Sequence, residues 1–141
     1  MVKTLEKPKL VNTIFEFFKH VSEWVGPSAH TPTIQELEKY LASNLQMFNN
    51  GNLVLKSAAE YLERLKKLQK MYYKMEVSKP LEEPLIQDDR ASVYYKLDLT
   101  TQDGHHKEVF ILGLLTIKHD KISRWVEVTS VKDAANWDTL H

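Results

Sequence analysis

The sequence predicts an α+β fold: helices in its front half, and an antiparallel β-meander in its back half that packs against them. Three observations carry this. Apolar residues recur at helical spacing from Leu10 to Val25 and again from Ala58 to Tyr72. From Ala91 onward the period switches to two. Turn residues then cut the alternating stretch into hairpin-sized pieces at Gln102-Asp103-Gly104-His105 and His119-Asp120-Lys121. Leu, Ile, Val and Phe make up 40 of the 141 residues, enough for one hydrophobic core in a chain of single-domain length.

The first helix is expected to open near Pro8, at a first turn that tolerates proline, and to bury Leu10, Val11, Ile14, Phe17, Phe18, Val21, Trp24 and Val25 before Gly26-Pro27 stops it. Thr33 with Glu36 matches a capping box, so a second helix is expected to carry Ile34, Leu37, Tyr40, Leu41 and Leu45. Asn49-Asn50-Gly51-Asn52 is a turn cluster between two apolar segments, either a short hairpin or an irregular excursion. Ser57 with Glu60 caps a third helix. Its buried side holds Ala58, Tyr61, Leu62, Leu65, Leu68 and Tyr72, and Glu63, Arg64, Lys66, Lys67 and Lys70 are expected on the wet side.

In the back half, Ala91, Val93, Tyr95, Leu97 and Leu99 alternate with Ser92, Tyr94, Lys96 and Asp98, a strand with one apolar face. The strand from Glu108 to Lys118 is apolar at every position from Val109 to Leu115. A strand with one wet face alternates, so both faces of this one are expected to be covered. Helices account for one face. A second copy of the same sheet accounts economically for the other, which predicts a homodimer through the open sheet face; the other reading is a monomer whose sheet curvature or C-terminal tail closes that face. Ile122 to Thr129 completes the meander.

Composition removes several functions. Lys and Arg balance Asp and Glu at 19 each, which disfavours a dedicated nucleic-acid binder. The chain has no cysteine, so disulfides, thiolate catalysis and cysteine-ligated metals are out. His105 and His106 are adjacent in a turn, their side chains diverge, and no metal or other cofactor is expected. With four glycines there is no phosphate-cradling loop. No apolar run is long enough to span a membrane, and the charged start lacks a secretory h-region, so a cytoplasmic protein is expected.

Two segments carry a family likeness. One is Asn50-Gly51-Asn52 leading through Leu55 to the helix capped at Ser57. The other is His119-Asp120-Lys121-Ile122-Ser123-Arg124-Trp125-Val126-Glu127-Val128, with Asp120 where a glycine is usual. With the order of elements, they resemble the SnoaL-like, polyketide-cyclase-like branch of the nuclear-transport-factor-2-like superfamily. The resemblance implies a cystatin-like α+β roll: a cone-shaped, strongly curved antiparallel sheet wrapped around three helices, with an apolar pocket at its open end. It places one domain over 1–141, with a core at about 11–129 and a tail at 130–141. Such folds host isomerases, cyclases, dehydratases, epoxide hydrolases and members without chemistry, so the fold leaves function open.

Pocket chemistry of this type uses a carboxylate whose pKa is raised by an apolar wall, together with a donor for the developing oxyanion. Glu127 is the first candidate for the base, because period two puts it on one strand face with Trp125 and Thr129. Tyr95 lies on an apolar strand face and offers a phenolic donor. Trp24, Tyr73, Tyr95 and Trp125 are the candidate ligand-contacting residues. Tyr72 and Tyr73 straddle a helix-to-strand junction, one pointing inward and one outward. Asp98 reads as part of an exposed ion-paired face with Lys96, and His20 as a helix-terminal residue. Trp137 is expected to pack back onto the domain or across a dimer. The expected function is therefore a pocket for an apolar small molecule, with proton transfer, isomerisation, cyclisation or hydration by Glu127. The alternative is a binding or interaction module without turnover.

Overall fold

The structure, a computed structural model, describes residues 2–26 and 30–132. Helix α1 (Val2–Trp24) is followed by the short α2 (Ile34–Leu37), a hairpin of β1 (Leu41–Asn49) and β2 (Asn52–Leu55), and helix α3 (Ala58–Met71). Strands β3 (Tyr72–Val77), β4 (Leu85–Gln87), β5 (Arg90–Thr101), β6 (His106–Lys118) and β7 (Lys121–Val131) complete the chain. The α+β class and the curved, open sheet with three helices in the front half agree with the sequence reading.

Seven strands form one sheet in the order β2-β1-β7-β6-β5-β3, with β4 also paired to β5. The meander β5-β6-β7 is antiparallel, whereas β1 runs parallel to β7, so the sheet is mixed. That parallel pair ties the two halves of the chain together. Ile122 N–H donates to Tyr40 C=O at 2.7 Å, and Asn50 N–H donates to Glu127 C=O at 2.9 Å.

Two local expectations change, and one open alternative closes. Helix α1 already runs from Val2, so Pro8 lies within it; the preceding Leu5, Glu6 and Lys7 are good helix formers. Helix α2 ends at Leu37, and Leu41 and Leu45 lie in β1. Residues four apart share a face in a strand as well as in a helix, so the spacing of Leu37, Leu41 and Leu45 fits either. Pairing with β7 decides for the strand. The Asn-Gly cluster is a hairpin turn, with Asn50 at φ 49° and Gly51 at φ 89°, both in the left-handed region that such a two-residue loop needs.

The predicted caps are present. Thr33 Oγ1 accepts from Glu36 N–H while the Glu36 carboxylate accepts from Thr33 N–H, each at 3.1 Å. Ser57 Oγ accepts from Glu60 N–H at 3.1 Å, and the Glu60 carboxylate reaches back to Lys56 N–H at 2.9 Å. Asp120, where the family likeness has glycine, sits at φ 64° in the β6–β7 turn, a left-handed backbone that explains the glycine preference. Trp137 lies outside the described residues.

The core lies between α1, α3 and the concave face of the sheet. Phe17, wholly buried, meets Trp24, Tyr40, Tyr61 and Trp125 at ring-centroid distances of 5.6–6.1 Å. Such a residue is expected to contribute heavily: Phe17→Ala should cost about 3–5 kcal/mol, read as a lowered urea midpoint with an unchanged slope.

Candidate active site

The concave face is not filled everywhere. A cavity of about 270 Å³ remains between the helices and the sheet. Phe18 and Val21 of α1, Tyr61, Arg64 and Leu68 of α3, and inward residues of β1, β3, β5, β6 and β7 line it. Its volume falls near the lower end for small-molecule sites.

Glu127 reaches this cavity from β7 and is 5% exposed. Alternation places Trp125, Glu127 and Thr129 in the cavity wall, while Val128 and Arg124 face outward. Three neutral donors surround the carboxylate. Trp125 Nε1–H donates to Oε2 at 3.0 Å and Asn49 Nδ2–H donates to Oε1 at 3.0 Å. The Tyr95 hydroxyl stands 3.5 Å from Oε2, a long contact that leaves it able to turn toward a ligand.

Burial is the dominant influence on this carboxyl and pushes its pKa above the ordinary 4.5. The Asn49 hydrogen bond, the positive charge of Arg64 and the Trp125 and Tyr95 donors oppose that rise without cancelling it. The same burial, reinforced by the negative charge of Glu127, drives the phenols of Tyr61 and Tyr95 upward, so both stay neutral donors. The result is a carboxyl with raised proton affinity beside two phenols, under an aromatic wall in which Trp125 stacks near Tyr61 at 6.4 Å.

Two candidate ligand contacts lie elsewhere. Trp24 is buried in the helical core, edge-on to Phe17 and stacked on His20, and is not in the cavity wall. Phe18 and Val21 turn to the cavity from α1; Phe17, His20 and Trp24 occupy the neighbouring stripe of the helix. Tyr73 is 49% exposed, and Tyr72 lines the cavity in its place. The register slips between Tyr72 and Lys74 where β3 pairs with β5, and that irregularity exchanges the faces of the two tyrosines.

Asn49 and Arg64 belong to this wall although their sequence patterns pointed elsewhere. Asn49 looked like the start of a turn, but it ends β1 and is the register partner of Glu127. Arg64, expected on the wet side of α3, is half-buried in the cavity wall. Gly113 is the partner of Glu127 on β6; a Cβ there would meet Leu115 Cδ1 at 3.3 Å and Trp125 Nε1 at 3.7 Å. Asp98 pairs with Lys96 at 3.5 Å on the outer face. Among the described residues, no cluster of three or more His, Cys, Asp or Glu gathers to hold a metal, and no helix is long and apolar enough to cross a membrane.

Solved structures share this fold at low identity. A SnoaL-like polyketide cyclase from Agrobacterium tumefaciens superposes with a TM-score of 0.65 at 13% identity, over 94% of this chain and 98% of that one. An LEH-like epoxide hydrolase from M. tuberculosis gives 0.69 at 11%, over 87% and 84%. TerC, co-crystallised with polyporic acid, gives 0.68 at 14%, over 94% and 97%. The chain therefore has the SnoaL-like, nuclear-transport-factor-2-like fold. No family model and no curated protein matches the sequence.

The raised pKa of Glu127 makes stability pH-dependent. The folded chain holds this proton more tightly than the unfolded one, so the contribution is complete below the ordinary value of 4.5 and is lost as pH rises through the folded-state pKa. Glu127→Gln mimics the protonated form and lacks this loss. The melting temperature of the variant relative to wild type should become more favourable from about pH 4 to about pH 8, measured by calorimetry. A difference constant over that range would contradict the raised pKa.

Proposed function

We propose that this protein is a single-domain, cytoplasmic, homodimeric enzyme that moves a proton on an apolar, carbonyl-bearing small molecule, with Glu127 as the base. One observation carries this reading: a carboxylate at 5% exposure in the wall of a largely apolar cavity, its proton affinity raised by that burial. A general base works best with a pKa close to the working pH, and desolvation is how a carboxylate approaches it. In the proposed step Glu127 takes the proton from the carbon beside the carbonyl, and the electron pair moves onto the carbonyl oxygen. The neutral Tyr95 hydroxyl donates to that oxygen. Return of the proton to another carbon gives isomerisation; attack of the carbanion on a second carbonyl gives cyclisation. Trp125 forms the wall and holds the carboxylate in position. The cyclase and epoxide hydrolase among the structural neighbours support an enzyme of this broad kind. The alternative, binding without turnover, draws on the same carboxylate, since its two oxygens already accept from Trp125 and Asn49.

The dimer rests on the outer face of the sheet. Leu112 and Val128 are 52% and 53% exposed, and Leu114 lies beside them on β6. A contiguous exposed apolar face on paired strands marks an association surface. Light scattering at about 50 μM should give twice the chain mass, and Leu112→Glu with Leu114→Glu should return the monomer mass. A wild-type monomer would remove the dimer from the proposal.

Catalysis is tested by deuterium incorporation beside the carbonyl of small apolar ketones in D₂O, followed by NMR. Wild type should exchange, and Glu127→Gln should be slower by about 10²–10⁴-fold. The acidic limb of the rate profile should lie above the ordinary carboxylate range, and Asn49→Ala should move it further up by removing a donor that holds the carboxyl down. Ketones that bind without exchange would favour the non-catalytic alternative.

A further inference from the structure

We propose, resting on the reading of this cavity as a small-molecule site, that its ligand bears a carboxylate, and that Arg64 holds this carboxylate from helix α3 with the Tyr61 hydroxyl beside it. Tyr61 and Arg64 are three residues apart, on one side of the helix, and both line the cavity. Arg64 and Glu127 are the charged residues in the described wall. They form no ion pair with each other, though the guanidinium is near enough to pull the Glu127 carboxyl down.

The acids nearest Arg64 along the helix are already engaged. Glu63 pairs with Lys66 at 3.1 Å, and Glu60 accepts from Lys56 N–H at 2.9 Å. Among the described residues, no carboxylate ion-pairs with Arg64. A half-buried guanidinium with no ion-paired carboxylate among the described residues, facing a cavity, presents a planar fork that matches a carboxylate in two parallel hydrogen bonds. One guanidinium neutralises one negative charge, and the rest of the wall is largely apolar, which favours a monocarboxylate over a phosphate ester. At about 30 Å³ per water, the cavity holds the volume of about nine waters, which suits one ring with a short acid chain. With the acid group on α3, the rest of the ligand extends toward Glu127 on β7.

The test compares phenylacetate and 3-phenylpropionate with their uncharged amides, by NMR titration of the full chain. Wild type should bind each acid about tenfold or more tightly than its amide, the usual worth of a charge-assisted hydrogen bond. In Arg64→Gln, checked for an unchanged melting temperature, that ratio should collapse toward one. Arg64→Lys should restore part of it, and Glu127→Gln should raise it by removing a like charge. A ratio near one in wild type, a ratio unchanged in Arg64→Gln, or no binding of acid or amide would each overturn the proposal. Arg64-dependent acid binding in a protein that exchanges no proton would overturn the catalytic reading alone. Exchange of neutral ketones with a ratio near one would overturn this inference alone.

Discussion

The parallel contact between β1 and β7 is the constraint on which the rest of the molecule depends. A meander of neighbouring strands forms from local hairpins, but this pair joins residues about 80 positions apart. It joins the β1–β2 hairpin, and with it the front half of the chain, to the meander, gives Tyr40 C=O and Asn50 N–H their backbone partners, and carries Asn49 to the Glu127 carboxylate. This pairing and the site form together. Contacts of such long sequence separation require loop closure before they return any stabilisation, so the site is expected to be late to assemble.

A buried carboxylate is an expensive object, and its surroundings show how the cost is limited. Among the described residues, every donor to Glu127 is neutral and no ion pair compensates it. Neutral donors offset part of the desolvation and leave the remainder as raised proton affinity. A guanidinium in direct contact would instead have fixed the carboxylate as a permanent anion, useless as a base near neutrality. Trp125 joins both sides of this arrangement, because its ring belongs to the aromatic core and its N–H to the carboxylate.

What the residues disclosed in advance follows from the physics of each element. Caps at Thr33 and Ser57 act over three residues, and both could be read directly. Period two in an antiparallel strand is equally local, which is why Trp125, Glu127 and Thr129 could be assigned to one face. The failures occur where distant pairing overrides local pattern. Leu41 and Leu45 fit a helix until β7 claims them, and the faces of Tyr72 and Tyr73 depend on a register slip against β5. Arg64 was hidden for another reason. Among lysines on an amphipathic helix it carries no mark of its own, and only the position of the cavity distinguishes it. Asn49 had no signal, since its role exists only once β1 lies beside β7.

Gly113 gives the site a remote control. It faces Glu127 across the β6–β7 ladder, where an added methyl would press on Leu115 and approach the indole nitrogen that donates to the carboxylate. A methyl there meets Leu115 first and lies at ordinary contact distance from the indole nitrogen, so a larger side chain is what would reach the donor. Side chains of graded size at residue 113 would shift the indole by degrees and weaken its hydrogen bond, leaving the carboxyl in a drier, less supported place. A residue that never titrates thus borders the donor that supports this carboxyl, and a bulky side chain there would act on its proton affinity while every ionisable group is kept.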